Sequence, residues 1–104
     1  MAVLGELEAV VMGILWSRPE WLAVRDVHEV LSADRDLAYT TVMTVLDRLA
    51  KKGLATRRLD GRAWLYHPAR PRTEEVAAAM IEELAKLDPG SRAAVLAALG
   101  AAFD

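Results

Sequence analysis

Tyr39-Thr40-Thr41-Val42-Met43-Thr44 is the part of the chain best suited to reading another molecule. Its threonine hydroxyls can meet phosphates or base edges. The methyl groups of threonine and methionine can touch the C5-methyl of thymine. Arg48 and Lys51 follow Thr44 at helical spacing and supply cations late in the same segment. Arg57, Arg58 and Arg62 come next, around an Asp60-Gly61 pair. Hydroxyls early, cations late and a cationic hairpin after them suit the major groove and phosphate backbone of double-stranded DNA. The chain has no asparagine and no glutamine. Bidentate adenine readout is therefore unavailable, and base contacts must come from Arg, Lys, Thr, Tyr or apolar groups. A modest direct code supplemented by DNA shape is expected.

Catalytic chemistry is poorly served. The two histidines, His28 and His67, form no HxxxH or HExxH spacing, so no metal site is expected. Ser17, Ser32 and Ser91 have no base at a motif spacing, and there is no GxSxG elbow. No glycine-rich phosphate loop occurs. The absence of cysteine removes disulfides, thiolate metal sites and cysteine nucleophiles. An enzyme is not expected, and neither is a cofactor.

The chain has 104 residues, 54% of them apolar and 27% charged, with a net charge of -2. One globular domain, or a small domain with an appendage, fits that length. The charge alone argues against nucleic acid, but its distribution argues for it. Residues 1–47 carry three cations against eight carboxylates, or -5. Residues 48–72 carry eight cations against Asp60 alone, or +7. Residues 73–104 carry two cations against six carboxylates, or -4. Acidic flanks around one cationic block favour a single oriented docking mode. No apolar run approaches the ~20 residues that span a bilayer. The first residues lack the cationic and apolar regions of a secretory signal, so a cytoplasmic location is expected.

The elements that must position these groups follow from periodicity. Leu4, Leu7, Val11 and Ile14 define a first helix ending near Ser17. Trp21-Leu22-Ala23 is a loop or one brief strand. Val24, Val27 and Leu31 define a short second helix, and Ser32 to Asp36 make a turn. A third helix runs from about Ala38 to Lys52, with Gly53 as its stop. Val42, Val45, Leu46 and Leu49 form its buried stripe. Thr40, Thr44, Asp47 and Lys51 lie opposite.

Leu54–Leu59 and Arg62–His67 read as a hairpin closed by Asp60-Gly61 in a type I′ turn. That register pairs Leu59 with Arg62 and Arg57 with Trp64. It places Trp64 and Tyr66 against the helices, lets Arg57 stack on Trp64, and leaves Arg58 and Arg62 for phosphates. Two helices complete the chain. Val76, Met80, Leu84 and Leu87 share a face of the first. Val95, Leu96, Leu99 and Phe103 lie in the second, after the Asp88-Pro89-Gly90-Ser91 break. Their apolar faces either pack on the domain before them or dimerise. The expected fold is mainly α with a small β-hairpin. It is a winged helix-turn-helix at residues 1–70 and a C-terminal helical dimerisation extension at residues 71–104.

The local sequence is more specific than the fold. Leu4-Gly5-Glu6-Leu7-Glu8 with Met12 and Leu15-Trp16 resembles the first helix of the penicillinase-repressor (BlaI/MecI/CopY) family. Val24-Arg25-Asp26-Val27-His28 resembles its second. The stretch from Leu37 to Leu54 resembles the recognition helix of its actinobacterial members. Asp60-Gly61-Arg62, followed by Tyr66 and Pro68, resembles its wing. The likeness covers about residues 4–70.

It implies a homodimeric repressor on inverted-repeat operators with half-sites of a TACA/TGTA type. Base-proximal contacts would fall on Thr40, Thr41, Met43 and Thr44, with Tyr39 at the start of the helix. Wing contacts would fall on Arg58 and Arg62. It also implies induction through a membrane sensor-protease, although the chain contains no Asn–Phe cleavage pair. The alternative reading is a winged-helix module that binds protein, such as an antagonist pairing with a longer paralogue.

Overall fold

The computed structural model describes residues 4–104. The order is α1 (Glu6–Trp16), β1 (Leu22–Ala23), α2 (Val24–Ser32), α3 (Tyr39–Lys51), β2 (Ala55–Asp60), β3 (Ala63–Pro68), α4 (Arg72–Ala85) and α5 (Pro89–Ala102). The chain forms two compact units that divide between Pro71 and Arg72. The first holds the winged helix-turn-helix and the second holds α4 and α5. Among the described residues no helix is long and apolar enough to cross a membrane.

Three helices close the core of the first unit. Val11, Met12, Ile14 and Leu15 come from α1, Val24, Val27 and Leu31 from α2, and Val42, Val45, Leu46 and Leu49 from α3. Leu22, Leu54, Ala55 and Tyr66 fill the side facing the sheet. The helical stripe of α3 is thus buried as its periodicity predicts, which leaves Thr40, Thr41, Met43 and Thr44 in solvent. Three of the helix ends in this unit are closed by local hydrogen bonds. The backbone N–H of Gly5 donates to Glu8 Oε1 at 3.2 Å, and that of Ala23 donates to Asp26 Oδ2 at 2.8 Å. At the end of α3, Leu54 N–H donates to the Leu49 carbonyl and Gly53 N–H to that of Ala50. This Schellman arrangement needs a left-handed residue after the cap, and Gly53 supplies it at φ +78°.

His28 orders the turn between α2 and α3. Its Nε2 lies 2.7 Å from the Leu37 carbonyl oxygen. A carbonyl only accepts, so the ring donates from Nε2. Its edge also meets the Tyr39 ring, with centroids 5.8 Å apart. The start of α3 is therefore tied to α2 by one side chain.

The sheet is antiparallel in the order β1-β3-β2. Trp21-Leu22-Ala23 thus includes a short strand, with Leu22 opposite Tyr66 and Ala23 opposite Leu65. The hairpin differs from expectation. Asp60 pairs with Ala63, Leu59 with Trp64 and Arg57 with Tyr66. The two turn residues are therefore Gly61 and Arg62, not Asp60 and Gly61. Of the residues in this turn, only Gly61 has positive φ, at +63°. A turn with glycine first needs one left-handed residue, whereas the type I′ turn would force Asp60 into that region as well. The shift of pairing is two residues, so face membership survives it. Arg57, Trp64 and Tyr66 still share a face. Of the two aromatics expected against the helices, Tyr66 is buried but Trp64 remains 41% exposed.

In the second unit, Asp88 caps α5. Its Oδ2 accepts the Ser91 N–H at 3.1 Å, and its Oδ1 accepts the Ser91 hydroxyl at 2.6 Å. Arg92 reaches back to the end of α4 and the turn after it, donating to the carbonyls of Leu84 and Leu87 at 3.0 Å each. Leu84 and Leu99 are half-buried, while Val76, Met80, Leu87, Val95, Leu96 and Phe103 are exposed.

Candidate nucleic-acid interface

The exposed side of α3 borders two clefts. Thr40, Thr41, Thr44 and Arg48 line the first, opposite Gly5, Glu6 and Glu8 at the start of α1. Tyr39 and Met43 line the second, opposite Arg25 of α2 and Asp60, Arg62 and Trp64 of the hairpin. Tyr39 is 47% exposed and Met43 44%. The hydroxyl and apolar side chains of the helix are thus presented on adjacent flanks.

Two carboxylates border the threonine cleft, and both are paired. Glu6 meets Arg35 at 3.2 Å, and Glu8 meets Lys52 Nζ at 2.7 Å. Lys52, with the Gly5 N–H adding to it, holds the Glu8 carboxyl below the usual carboxylate range. Burial opposes that shift. These pairs reduce the repulsion that bare carboxylates would exert on a phosphate backbone. The Thr44 hydroxyl donates to the Thr40 carbonyl at 2.9 Å. Its remaining lone pairs can only accept.

Lys51 and Arg57 meet at Asp47. Lys51 Nζ lies 2.9 Å from Asp47 Oδ2, and Arg57 Nη1 lies 3.0 Å from Asp47 Oδ1. Arg57 also sits 4.5 Å from the centroid of the Trp64 ring, the cation–π contact its alternation predicts. These contacts turn the Arg57–Trp64–Tyr66 face of the sheet towards α3. Arg58 lies on the opposite face, 4.6 Å from the centroid of the Trp21 ring. Trp21 in turn stacks on His67, with centroids 5.1 Å apart. The structure therefore gathers Tyr39, Met43 and Arg62 around one cleft, and Thr40, Thr41, Thr44 and Arg48 around the other. It joins Lys51 to Arg57 and holds Arg58 apart from α3. Among the described residues, no carboxylate pairs with Arg48, Arg58 or Arg62 within 4.0 Å.

Sequence reasoning did not single out Asp47, Trp21, Arg25 or the clamping role of His28. The Asp47–Lys51 spacing of four was a usable signal. The contacts of Trp21 and His28 depend on the tertiary fold. No group of three or more metal-ligating side chains occurs among the described residues.

Comparison with known proteins gives a consistent result. The family model for the penicillinase repressor matches residues 4–102. The transcriptional regulator BlaI of Mycobacterium tuberculosis is 58% identical over 94 residues, spanning 89% of this chain and 68% of that one. The solution structure of the DNA binding domain of the repressor BlaI superposes with a TM-score of 0.60 at 27% identity, covering 68% of this chain and 85% of that one. Bacillus licheniformis BlaI, in its monomeric form in complex with the blaP half-operator, superposes with a TM-score of 0.58 at 26% identity. That match covers 70% of this chain and 88% of the other.

Proposed function

The chain belongs to the penicillinase repressor family, and on that premise we propose that it is a DNA-binding transcriptional repressor that occupies inverted-repeat operators as a homodimer. It is a regulator and not an enzyme. The observation that carries the reading is the exposed face of α3. That face presents Thr40, Thr41, Met43 and Thr44 while Val42, Val45, Leu46 and Leu49 are buried beneath it. Arg48 continues the helix, and Arg62 stands at the turn of the wing. On this reading, base contacts fall to the first half of α3 and phosphate contacts to Arg48, Lys51, Arg57, Arg58 and Arg62. The half-operator complex of the Bacillus licheniformis relative supports DNA as the partner.

The homodimer rests on the C-terminal unit. Met80, Leu84, Val95 and Leu99 line an apolar groove of α4 and α5, next to further exposed apolar side chains. A second copy would bury these faces and link two half-site readers, raising the effective concentration of the second at the operator. A membrane sensor-protease that cleaved this unit would dissolve that linkage and release the operator. The test is a gel shift on a duplex carrying a TACA/TGTA inverted repeat beside a scrambled duplex of equal length. Salt-sensitive binding that favours the repeat is expected. A folded, dimeric chain that binds neither duplex at micromolar concentration would overturn the repressor reading in favour of a protein-binding module.

A further inference from the structure

We propose that Asp47 is an internal surrogate for DNA phosphate, which holds Lys51 and Arg57 until a correctly seated backbone takes its place and so restrains binding to non-operator DNA. The inference rests on the DNA-binding reading above. Asp47 lies on the same stripe of α3 as Thr40, Thr44 and Lys51, the side turned away from the buried Val42–Leu49 stripe. A carboxylate at that position would repel phosphate if it stood alone. Instead each of its oxygens accepts from a different cation, Lys51 at 2.9 Å and Arg57 at 3.0 Å. One of those cations is on the helix and the other on the wing.

These are the bonds a phosphate diester would make, because a phosphate also offers two anionic oxygens to neighbouring cations. Lys51 is open to solvent, and Asp47 and Arg57 are partly so, the Arg57 side chain being 31% exposed. The Asp47 side chain is 34% exposed and that of Lys51 71%. An exposed pair of this kind is weak and easily exchanged. A phosphate arriving between α3 and the wing can therefore replace Asp47 at little cost. A loosely bound duplex gains less, because the one negative charge of Asp47 already offsets one of the two positive charges and so lowers the number of counterions released on contact. The trio thus lowers the sequence-independent part of the affinity more than the part that depends on full seating.

Asp47→Asn keeps the shape of the side chain and removes its charge. The variant should bind a scrambled duplex roughly fivefold more tightly at moderate salt, the scale of one exposed charge contact. Its salt slope on that duplex should steepen by about 1. Affinity for the TACA/TGTA repeat should rise less, so the ratio between the two duplexes falls. Asp47→Glu keeps the charge and should restore the wild-type ratio and slope. Urea midpoints of all variants, measured in parallel, should match the wild type. Scrambled-duplex binding that is unchanged or weaker in Asp47→Asn, with the wild type binding DNA, would overturn the inference and leave Asp47 a brace. A wild type without salt-sensitive binding to either duplex overturns the DNA-binding reading and this inference with it.

Discussion

The guanidinium of Arg58 rests 4.6 Å from the centroid of the Trp21 ring. A wing cation is thereby held by the residue that leads into β1. The same indole also stacks on His67, with centroids 5.1 Å apart. Trp21 thus restrains Arg58 without carrying charge itself. Trp21→Ala should weaken DNA binding a few-fold while leaving the salt slope unchanged, because the cation persists with more rotamers to lose, a cost of roughly 1 kcal/mol. Arg58→Ala should lower the slope by about 1, as loss of a phosphate contact does. Salt titrations of both variants check the distinction. Equal slopes in the wild type and Arg58→Ala would remove Arg58 from the phosphate-contacting set.

Thr44 and Arg62 offer the matching contrast between base and backbone. The Thr44 hydroxyl is already committed as a donor to the Thr40 carbonyl, so an outward bond must be one it accepts. Thr44→Ala removes both that acceptor and the methyl group. It should lower the ratio of operator to scrambled affinity about tenfold, within the range of one lost base contact. Arg62 stands in the turn at the tip of the wing. Arg62→Ala should weaken all duplexes alike and reduce the salt slope by about 1. Competition gel shifts with both duplexes separate the two. Uniform weakening by Thr44→Ala would move base readout away from α3.

The helices and their buried stripes were legible because one period decides them. Val42, Val45, Leu46 and Leu49 recur at the spacing of a single helix face, and all are buried. Gly53 was legible as a stop because only its backbone freedom suits the position after the cap. The hairpin was legible as an element, but its turn was not. Asp60-Gly61 and Gly61-Arg62 both place glycine in a two-residue loop, and sequence alone does not say which φ must be positive. The error left the faces correct, since a shift of two residues preserves alternation. At the interface, the list of cations could be read from the chain. Their engagement could not. Asp47 reaches Arg57 across ten positions of sequence, and Trp21 meets Arg58 across strands that only the folded sheet brings together.

Acid should weaken the first unit through Glu8. Its partner Lys52, at 2.7 Å, sits at the end of α3, so the pair ties the start of α1 to α3. The Glu8 carboxyl is held below its ordinary value of 4.5. A carboxylate with a lowered folded-state pKa contributes stability that is full above the unfolded value and is lost as pH falls through the folded one. Wild-type stability should therefore decline below about pH 4.5, and Glu8→Gln should make that part of the decline shallower. The pair is partly exposed, so the effect should stay near or under about 1 kcal/mol. Urea melts between about pH 3 and pH 6 measure it. Identical pH profiles for the two proteins would show that Glu8 contributes nothing to acid sensitivity.

Leu46 tests the scaffold itself. It is fully buried on α3, directly beneath the face assigned to DNA. Leu46→Ala should cost about 2–5 kcal/mol, the range for emptying a packed leucine site. Binding should fall in proportion to the folded fraction, and the operator-to-scrambled ratio should be preserved at low temperature. A changed ratio in fully folded protein would mean that core packing tunes the helix surface as well as supporting it.

The assembly is tested at Leu99. This half-buried side chain lines the groove of α4 and α5 with Met80, Leu84 and Val95. Val76, Leu96 and Phe103 are exposed in the same unit at 48%, 52% and 87%. So much apolar surface on two helices favours burial against a second copy. Leu99→Glu places a carboxylate in the groove, where it has no designed partner and must remain hydrated. Sedimentation of the free protein should shift from dimer to monomer. Half-site binding should survive, because Thr40–Arg48 and the wing belong to the other unit. Binding to the inverted repeat should fall at least about 100-fold, the lower end of the gain from linking two sites. Unchanged sedimentation of a folded Leu99→Glu variant would place the dimer contact away from this groove.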